Sequence, residues 1–156
     1  MRVLVTGAGG MMGSHLLDYL IDRNQKVLGI DFVPTTDITL LNKKAQYMEC
    51  DIRDKEKLSN ILNAFRPEIV FHLAAQSYPT VSWCRPTYTL ETNIIGTINL
   101  FEIIKELKID PIVLIAGSSS EYGFVEESEV PVKEGKELKP LHPYGVSKVA
   151  QEMRAY

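Results

Sequence analysis

Short runs of β-branched and aliphatic residues alternate along the chain with longer stretches of helical period, the pattern of βαβ units around a parallel sheet. Val3-Leu4-Val5 is the first such run. Leu16, Leu17, Leu20 and Ile21 then form a helical stripe, with Asp18, Asp22 and Arg23 on the other side. Lys26 to Ile30 reads as a second strand closed by Asp31, and a looser region carrying Pro34, Thr35 and Thr36 leads to a third around Gln46 to Cys50. Asp54 is placed to cap a helix whose apolar positions are Leu58, Ile61, Leu62 and Phe65. Pro67 ends that helix, and Ile69-Val70-Phe71 is the fourth strand.

The longest helical pattern runs from Leu90 to Leu107. At 100° per residue, Ile94, Ile98, Leu100, Phe101, Ile103, Ile104 and Leu107 cover more than half of its circumference. That is wider than the stripe needed to cover one sheet face, so a second buried side is expected, against a neighbouring helix or a partner subunit. Asp110-Pro111 ends the helix and Ile112 to Ile115 is the fifth strand. Phe124 to Pro143, with Pro131 and Pro140 inside it, reads as a long loop, a length uncommon unless it serves a function. A last helix begins near Tyr144.

Composition narrows the class. An apolar fraction of 45% with charges of both signs interspersed excludes disorder as the main state. No apolar run approaches the ~20 residues that span a bilayer, so no membrane partner is expected. A net charge of −3 gives no bulk drive toward nucleic acid. Cys50 and Cys84 lie far apart and read as two thiols in a reducing compartment, and no His/Cys spacing suggests a metal site. The chain enters a strand at its first residues without a visible secretory signal, so a cytoplasmic location is expected.

Thr6-Gly7-Ala8-Gly9-Gly10-Met11-Met12-Gly13 lies between the first strand and the first helix. A pyrophosphate approaching a helix N-terminus meets free N–H groups and the positive end of the dipole. Side chains at Gly7 and Gly10 would obstruct that approach, while Gly13 lets the helix pack closely on the strand. Asp31, 18 residues beyond Gly13, ends the second strand, where a carboxylate can accept from both hydroxyls of an adenosine ribose. Without a nearby arginine it would repel a 2′-phosphate, so NAD is expected over NADP. The fold expected is α/β: a Rossmann-type doubly wound parallel sheet of about five strands in the order 3-2-1-4-5, one domain over residues 1–156.

In the spacing TGxxGxxG this turn resembles the extended short-chain dehydrogenase/reductase family, which acts mostly on nucleotide sugars. Asp51-Ile52-Arg53-Asp54 resembles the family's adenine-holding segment. His72-Leu73-Ala74-Ala75-Gln76 resembles the HLAA motif beside the cofactor phosphates and ribose. Asn93-Ile94-Ile95-Gly96-Thr97 is similar to the NxxGT helix, and Tyr144-Gly145-Val146-Ser147-Lys148 to the YxxxK catalytic helix. The wording of Gly117-Ser118-Ser119-Ser120-Glu121-Tyr122-Gly123 and of Pro143 to Lys148 looks most like the branch holding GDP-mannose 4,6-dehydratase and GDP-4-keto-6-deoxy-mannose reductase. The resemblance implies cofactor contacts from Gly7, Gly10, Met11, Met12, Gly13, Asp31, Asp51, Ile52, Leu73, Ala74, Ala75, Gln76, Asn93, Tyr144 and Lys148. A GDP-sugar is the favoured substrate.

Tyr144 and Lys148 are four apart and share a helical face. A tyrosine is a poor base at neutral pH, and a neighbouring ammonium favours its phenolate. Tyr144 can then exchange a proton with a sugar hydroxyl while hydride passes between sugar carbon and nicotinamide. Ser118 falls on the family's substrate-orienting Ser/Thr position, with Ser119 as the alternative. Ser77, Ser119, Ser120 and Glu121 are further substrate candidates. Tyr78, Trp83 and Arg85 are expected in a loop near the cleft, to stack on the sugar nucleotide or simply to pack. The dehydratases place a glutamate three residues before the glycine closing the serine motif. Here that position is Ser120, and Glu121 is one residue late, which favours a reductase or epimerase over a dehydratase.

Members of the resembling family are about twice as long, their second half completing the sheet and supplying most of the sugar pocket. The C-terminal substrate domain is therefore expected to be absent from residues 1–156, leaving the fifth strand's outer edge unpaired. A homodimer through the helices containing Asn93 and Tyr144 is expected. The alternative functional reading is a dinucleotide-binding module without turnover.

Overall fold

The computed structural model describes residues 1–32, 34 and 41–155. Thr35 and Thr36 of the looser region lie outside them. Strands β1 (Arg2–Thr6), β2 (Lys26–Asp31), β3 (Gln46–Glu49), β4 (Ile69–His72) and β5 (Ile112–Ile115) form one sheet. Its order is β3-β2-β1-β4-β5 with every neighbouring pair parallel, as the alternation of strand and helix patterns requires. Helices α1 (Met11–Asp22) and α2 (Lys55–Phe65) follow β1 and β3. Asp54 caps α2, its carboxylate accepting from the Lys57 N–H at 3.0 Å. The last helix, α6, spans Pro143–Ala155.

Both faces of the sheet carry core, which is why its strands read as continuous apolar runs. On one face Leu4, Leu28, Ile30 and Val70 pack with Leu58, Ile61 and Leu62 of α2 and with Leu100 and Ile103 further along the chain. On the other, Val3, Val5 and Val27 pack with Leu17 and Leu20 of α1. Register puts Ile112 and Leu114 on that second face, in line with Val3 and Val5 through Ile69 and Phe71. There α1 does not reach, and Ile112 is 72% exposed and Leu114 48% exposed.

Two regions differ from the sequence expectation. Tyr78, Trp83 and Arg85 do not lie in an open loop. Pro79 starts a six-residue helix, α3 (Pro79–Cys84), and Pro86 a five-residue one, α4 (Pro86–Leu90), with Arg85 between them. Proline at a first helical position loses no hydrogen bond and has the right φ. Such short helices leave no periodic apolar signature. The long helix also begins earlier than Leu90: α4 runs through a π-helical turn at Glu91–Ile95 into α5 (Gly96–Glu106). The wide apolar face of this rod is explained by two neighbours, since α2 packs on α5 and α6 packs on α4 and the π turn. Among the described residues no helix is long and apolar enough to cross a membrane.

Candidate active site

The glycine turn, Asp31, Asp51, the Leu73–Gln76 segment and the Ser118 turn all follow the carboxyl ends of strands, the edge where open α/β sheets bind ligands. Gly7 has φ +71°, and a Cβ there would lie 2.7 Å from the Ala74 nitrogen, so this glycine joins the two loops. A Cβ on Gly13 would lie 2.1 Å from the Gly7 carbonyl oxygen; Gly13 therefore packs on the turn itself rather than on the strand. Gly10, by contrast, meets only the Gly7 oxygen, at 3.3 Å, and leaves the approach to α1 open. The N-terminus of α1 has no side-chain cap and no acidic residue in its first turn, so its N–H groups remain available to an anion. Met11 and Met12 are 80% and 60% exposed there.

Asp31 holds the turn from below: one carboxylate oxygen accepts the Gly9 N–H and the other the Phe32 N–H, both at 2.7 Å. Asp51 is clamped by Arg53, whose Nε lies 3.0 Å from both carboxylate oxygens. Burial raises the Asp51 carboxyl, but the Arg53 hydrogen bonds outweigh it and hold the group below the ordinary carboxylate range. Ile52 is buried beneath this pair, against Gly96.

After β4, Leu73, Ala74 and Ala75 are half-buried, Gln76 is buried and Ser77 exposed. Asn93 is buried in the π turn, its oxygen accepting the Gln76 N–H at 2.8 Å and its nitrogen donating to the Gln76 carbonyl and the Ser147 hydroxyl. It thus clips the Leu73–Gln76 segment to α6. Behind it lies a network with no sequence signature. Thr6 Oγ1 accepts the Ala74 N–H and donates to His72 Nδ1 at 2.9 Å. That assigns the ring proton to Nε2, which donates to Thr97 Oγ1 at 2.9 Å; Thr97 donates to the Asn93 carbonyl and accepts from Gln151 of α6.

Burial, with Lys148 nearby, pushes the His72 imidazole from 6.5 down to about 3. The folded chain keeps this ring neutral while the unfolded chain protonates it below 6.5. The stability is therefore complete above 6.5 and declines as the pH falls toward 3. Urea unfolding of wild type and His72→Gln is expected to give a stability difference that shrinks on acidification, by up to about 1.4 kcal/mol per pH unit. A constant difference over that window would contradict a neutral His72.

Tyr144 and Lys148 are both buried in the first turns of α6, with Lys148 only 4% exposed and its ammonium 5.8 Å from the Tyr144 ring centroid. Lys148 Nζ donates to the Ala116 carbonyl at 3.0 Å, tying α6 to the end of β5. Burial pushes its ammonium down to about 8, against the pull of Glu121. Ser118 Oγ accepts the Ser120 N–H at 3.2 Å, which leaves its own proton to donate elsewhere. Ser119 is exposed and Ser120 half-buried. Glu121 is 3% exposed and is turned back to accept the Ser118 N–H at 2.7 Å, so its carboxylate does not line the open cleft. His142 was not singled out by sequence: its Nδ1 accepts the Gly145 N–H at 3.0 Å, and its ring stacks on Tyr144 at 5.9 Å. Its one visible signal is its position just before Pro143, where a helix cap belongs.

A family model described as GDP-mannose 4,6 dehydratase matches residues 4–156. The chain belongs to that family. Relatives of this GDP-mannose 4,6 dehydratase family member include nucleotide-sugar epimerases and dehydratases. A putative UDP-glucose 4-epimerase of Methanocaldococcus jannaschii is 39% identical over 150 residues, covering 96% of this chain and 48% of the relative. The CDP-glucose 4,6-dehydratase of Salmonella typhimurium is 40% identical over 111 residues, covering 68% of this chain and 31% of that enzyme. Two crystal structures superpose with a TM-score of 0.92 at 34% identity, each covering 99% of this chain and 50% of the other. They are the UDP-glucose 4-epimerase of Thermotoga maritima with UDP-glucose and that of Thermus thermophilus in complex with NAD. The chain spans about half the length of the relatives it matches.

Proposed function

We infer that this chain carries the cofactor-binding and proton-transfer side of an NAD-dependent nucleotide-sugar oxidoreductase, acting by hydride transfer at the sugar C4. The observation that carries the reading is the buried Tyr144–Lys148 pair beside the Ser118 turn, on the same sheet edge as an uncapped glycine-turn helix. Gly10, the α1 N-terminus, Met11 and Met12 would hold the pyrophosphate, with Asp31 at the adenosine ribose and Asp51-Ile52 at the adenine. NAD supplies the hydride acceptor. Tyr144 removes the proton of the C4 hydroxyl, the Lys148 ammonium favours the phenolate that does so, and Ser118 donates to the same oxygen. Asn93, Gln76 and Leu73 to Ala75 hold the loop at the cofactor's edge.

Ser120 at the dehydratases' glutamate position, with Glu121 turned inward, supports an epimerase or reductase rather than a dehydratase. The serine and YxxxK wording favours a GDP-sugar, whereas the UDP-glucose 4-epimerases among the relatives favour a UDP-hexose. Apolar side chains left exposed on the helices containing Asn93 and Tyr144, Ile95, Val146 and Met153, support a homodimer.

The test is a calorimetric titration with NAD and NADP, followed by turnover assays with GDP- and UDP-sugars. NAD binding in preference to NADP, with turnover of one nucleotide class, is the expected result. NAD binding without turnover of any sugar nucleotide would favour the cofactor-binding module, a reading that the chain's half-length match already recommends. Absence of binding to either cofactor would overturn both.

A further inference from the structure

Glu121 is the one acidic side chain buried among the described residues, and the proton transfer proposed above does not use it. One of its roles is plain. Its Oε1 accepts the Ser118 N–H, and Ser118 Oγ accepts the Ser120 N–H, a reciprocal box closing the turn Ser119–Glu121. A glutamine would do that equally well, so the box leaves the buried charge unexplained.

The charge is explained by what faces it from α6. Lys148 and Glu152 are four residues apart and therefore on one face of that helix. Glu152 shares a hydrogen bond with the Glu121 carboxyl, and the Lys148 ammonium acts on the same group. Two carboxyl groups in contact cannot both ionise cheaply, so such a pair retains a proton. Lys148 has the opposite difficulty, since burial favours its neutral amine. Besides Glu121, Lys148 is faced by the Tyr144 ring on its own helix and by His72 on β4, a neutral imidazole that offers it no negative charge. The remaining neighbour on the serine turn is Lys139, which gives only its backbone N–H to Glu121 while its ammonium pairs with Glu137.

We propose that Glu121, backed by Glu152, is a positioning residue for Lys148: the pair keeps a proton in reserve and supplies the negative charge that holds the buried ammonium ionised beside Tyr144. The order of titration fits this arrangement. Burial and the Glu152 contact push Glu121 up to about 7, and burial pushes Lys148 down to about 8. The pair thus gives up its proton just before Lys148 would otherwise discharge. The catalytic consequence rests on the proposed function, but the electrostatic arrangement does not.

The experiment follows the Lys148 side-chain ammonium and the Glu121 carboxyl by NMR pH titration of the 156-residue chain, with no cofactor or sugar present. Glu121→Gln keeps an oxygen acceptor for the Ser118 N–H and removes only the charge. The Lys148 midpoint is expected to fall by about one pH unit in that variant. An unchanged midpoint in a folded Glu121→Gln chain would overturn the proposal. If that variant does not fold, Glu152→Gln on the half-exposed side of the pair decides. Glu121 should then titrate closer to the ordinary glutamate value of 4.5, and a Glu121 midpoint held near 7 would reject the pairing. Loss of NAD binding or turnover in the preceding assays would remove the proposed function without touching this result.

Discussion

Tyr144→Phe is expected to lower nucleotide-sugar turnover by roughly a hundred- to ten-thousand-fold, the usual contribution of a positioned acid–base group, while leaving NAD affinity unchanged. The substitution removes one oxygen and little else. The phenyl ring keeps its stacking on His142 and its place under the Lys148 ammonium, because both contacts are made by the ring. Lys148 stays tied to Ala116 and the Ser118 turn stays capped. What disappears is the group that accepts the C4 proton. Turnover within a few-fold of wild type, measured beside a calorimetric NAD titration, would show that Tyr144 is not the base.

The second large effect belongs to Gly13→Ala. A methyl group there would lie 2.1 Å from the Gly7 carbonyl oxygen and 2.9 Å from the Ala8 Cα, both backbone atoms with no rotamer in which to retreat. The turn must move, at a cost of about 1–3 kcal/mol of the kind that overpacking incurs. It cannot move without disturbing the N–H groups at the start of α1, so NAD affinity is expected to fall at least about tenfold, or ~1.4 kcal/mol. Gly135→Ala is the matched control, since its Cβ would meet nothing within 4 Å. Urea unfolding and calorimetry on both variants check this, and a Gly13→Ala chain matching the control in both would refute a cofactor role for the turn's geometry.

The two variants probe different layers of the same edge. Tyr144 tests chemistry carried on α6, and Gly13 tests the backbone surface presented by α1. The His72 network joins the layers: its hydrogen bonds run from Thr6 on β1 through β4 and the π turn to Gln151 on α6. Gln151 Oε1 has no hydrogen-bond partner among the described residues, so this network is not fully satisfied even where it is most buried.

The sequence by itself determined the sheet, its helices and most of the site's address. Local pattern sufficed for these features. Val3-Leu4-Val5 and the other apolar runs can be satisfied only by a sheet covered on both faces, and parallel strands force crossovers between them. The glycine spacing and the four-residue step from Tyr144 to Lys148 are likewise properties of short segments. Only the tertiary structure decided how the side chains divide their work. Asn93 turns away to clip Gln76 to Ser147, Glu121 faces α6 rather than the cleft, and His142 caps the helix that carries Tyr144. The π turn and the short helices α3 and α4 were equally invisible in the pattern. The reason is common to all of these: each depends on partners from 3 to 54 positions away, supplied by hydrogen bonds and burial that exist only once the elements have packed.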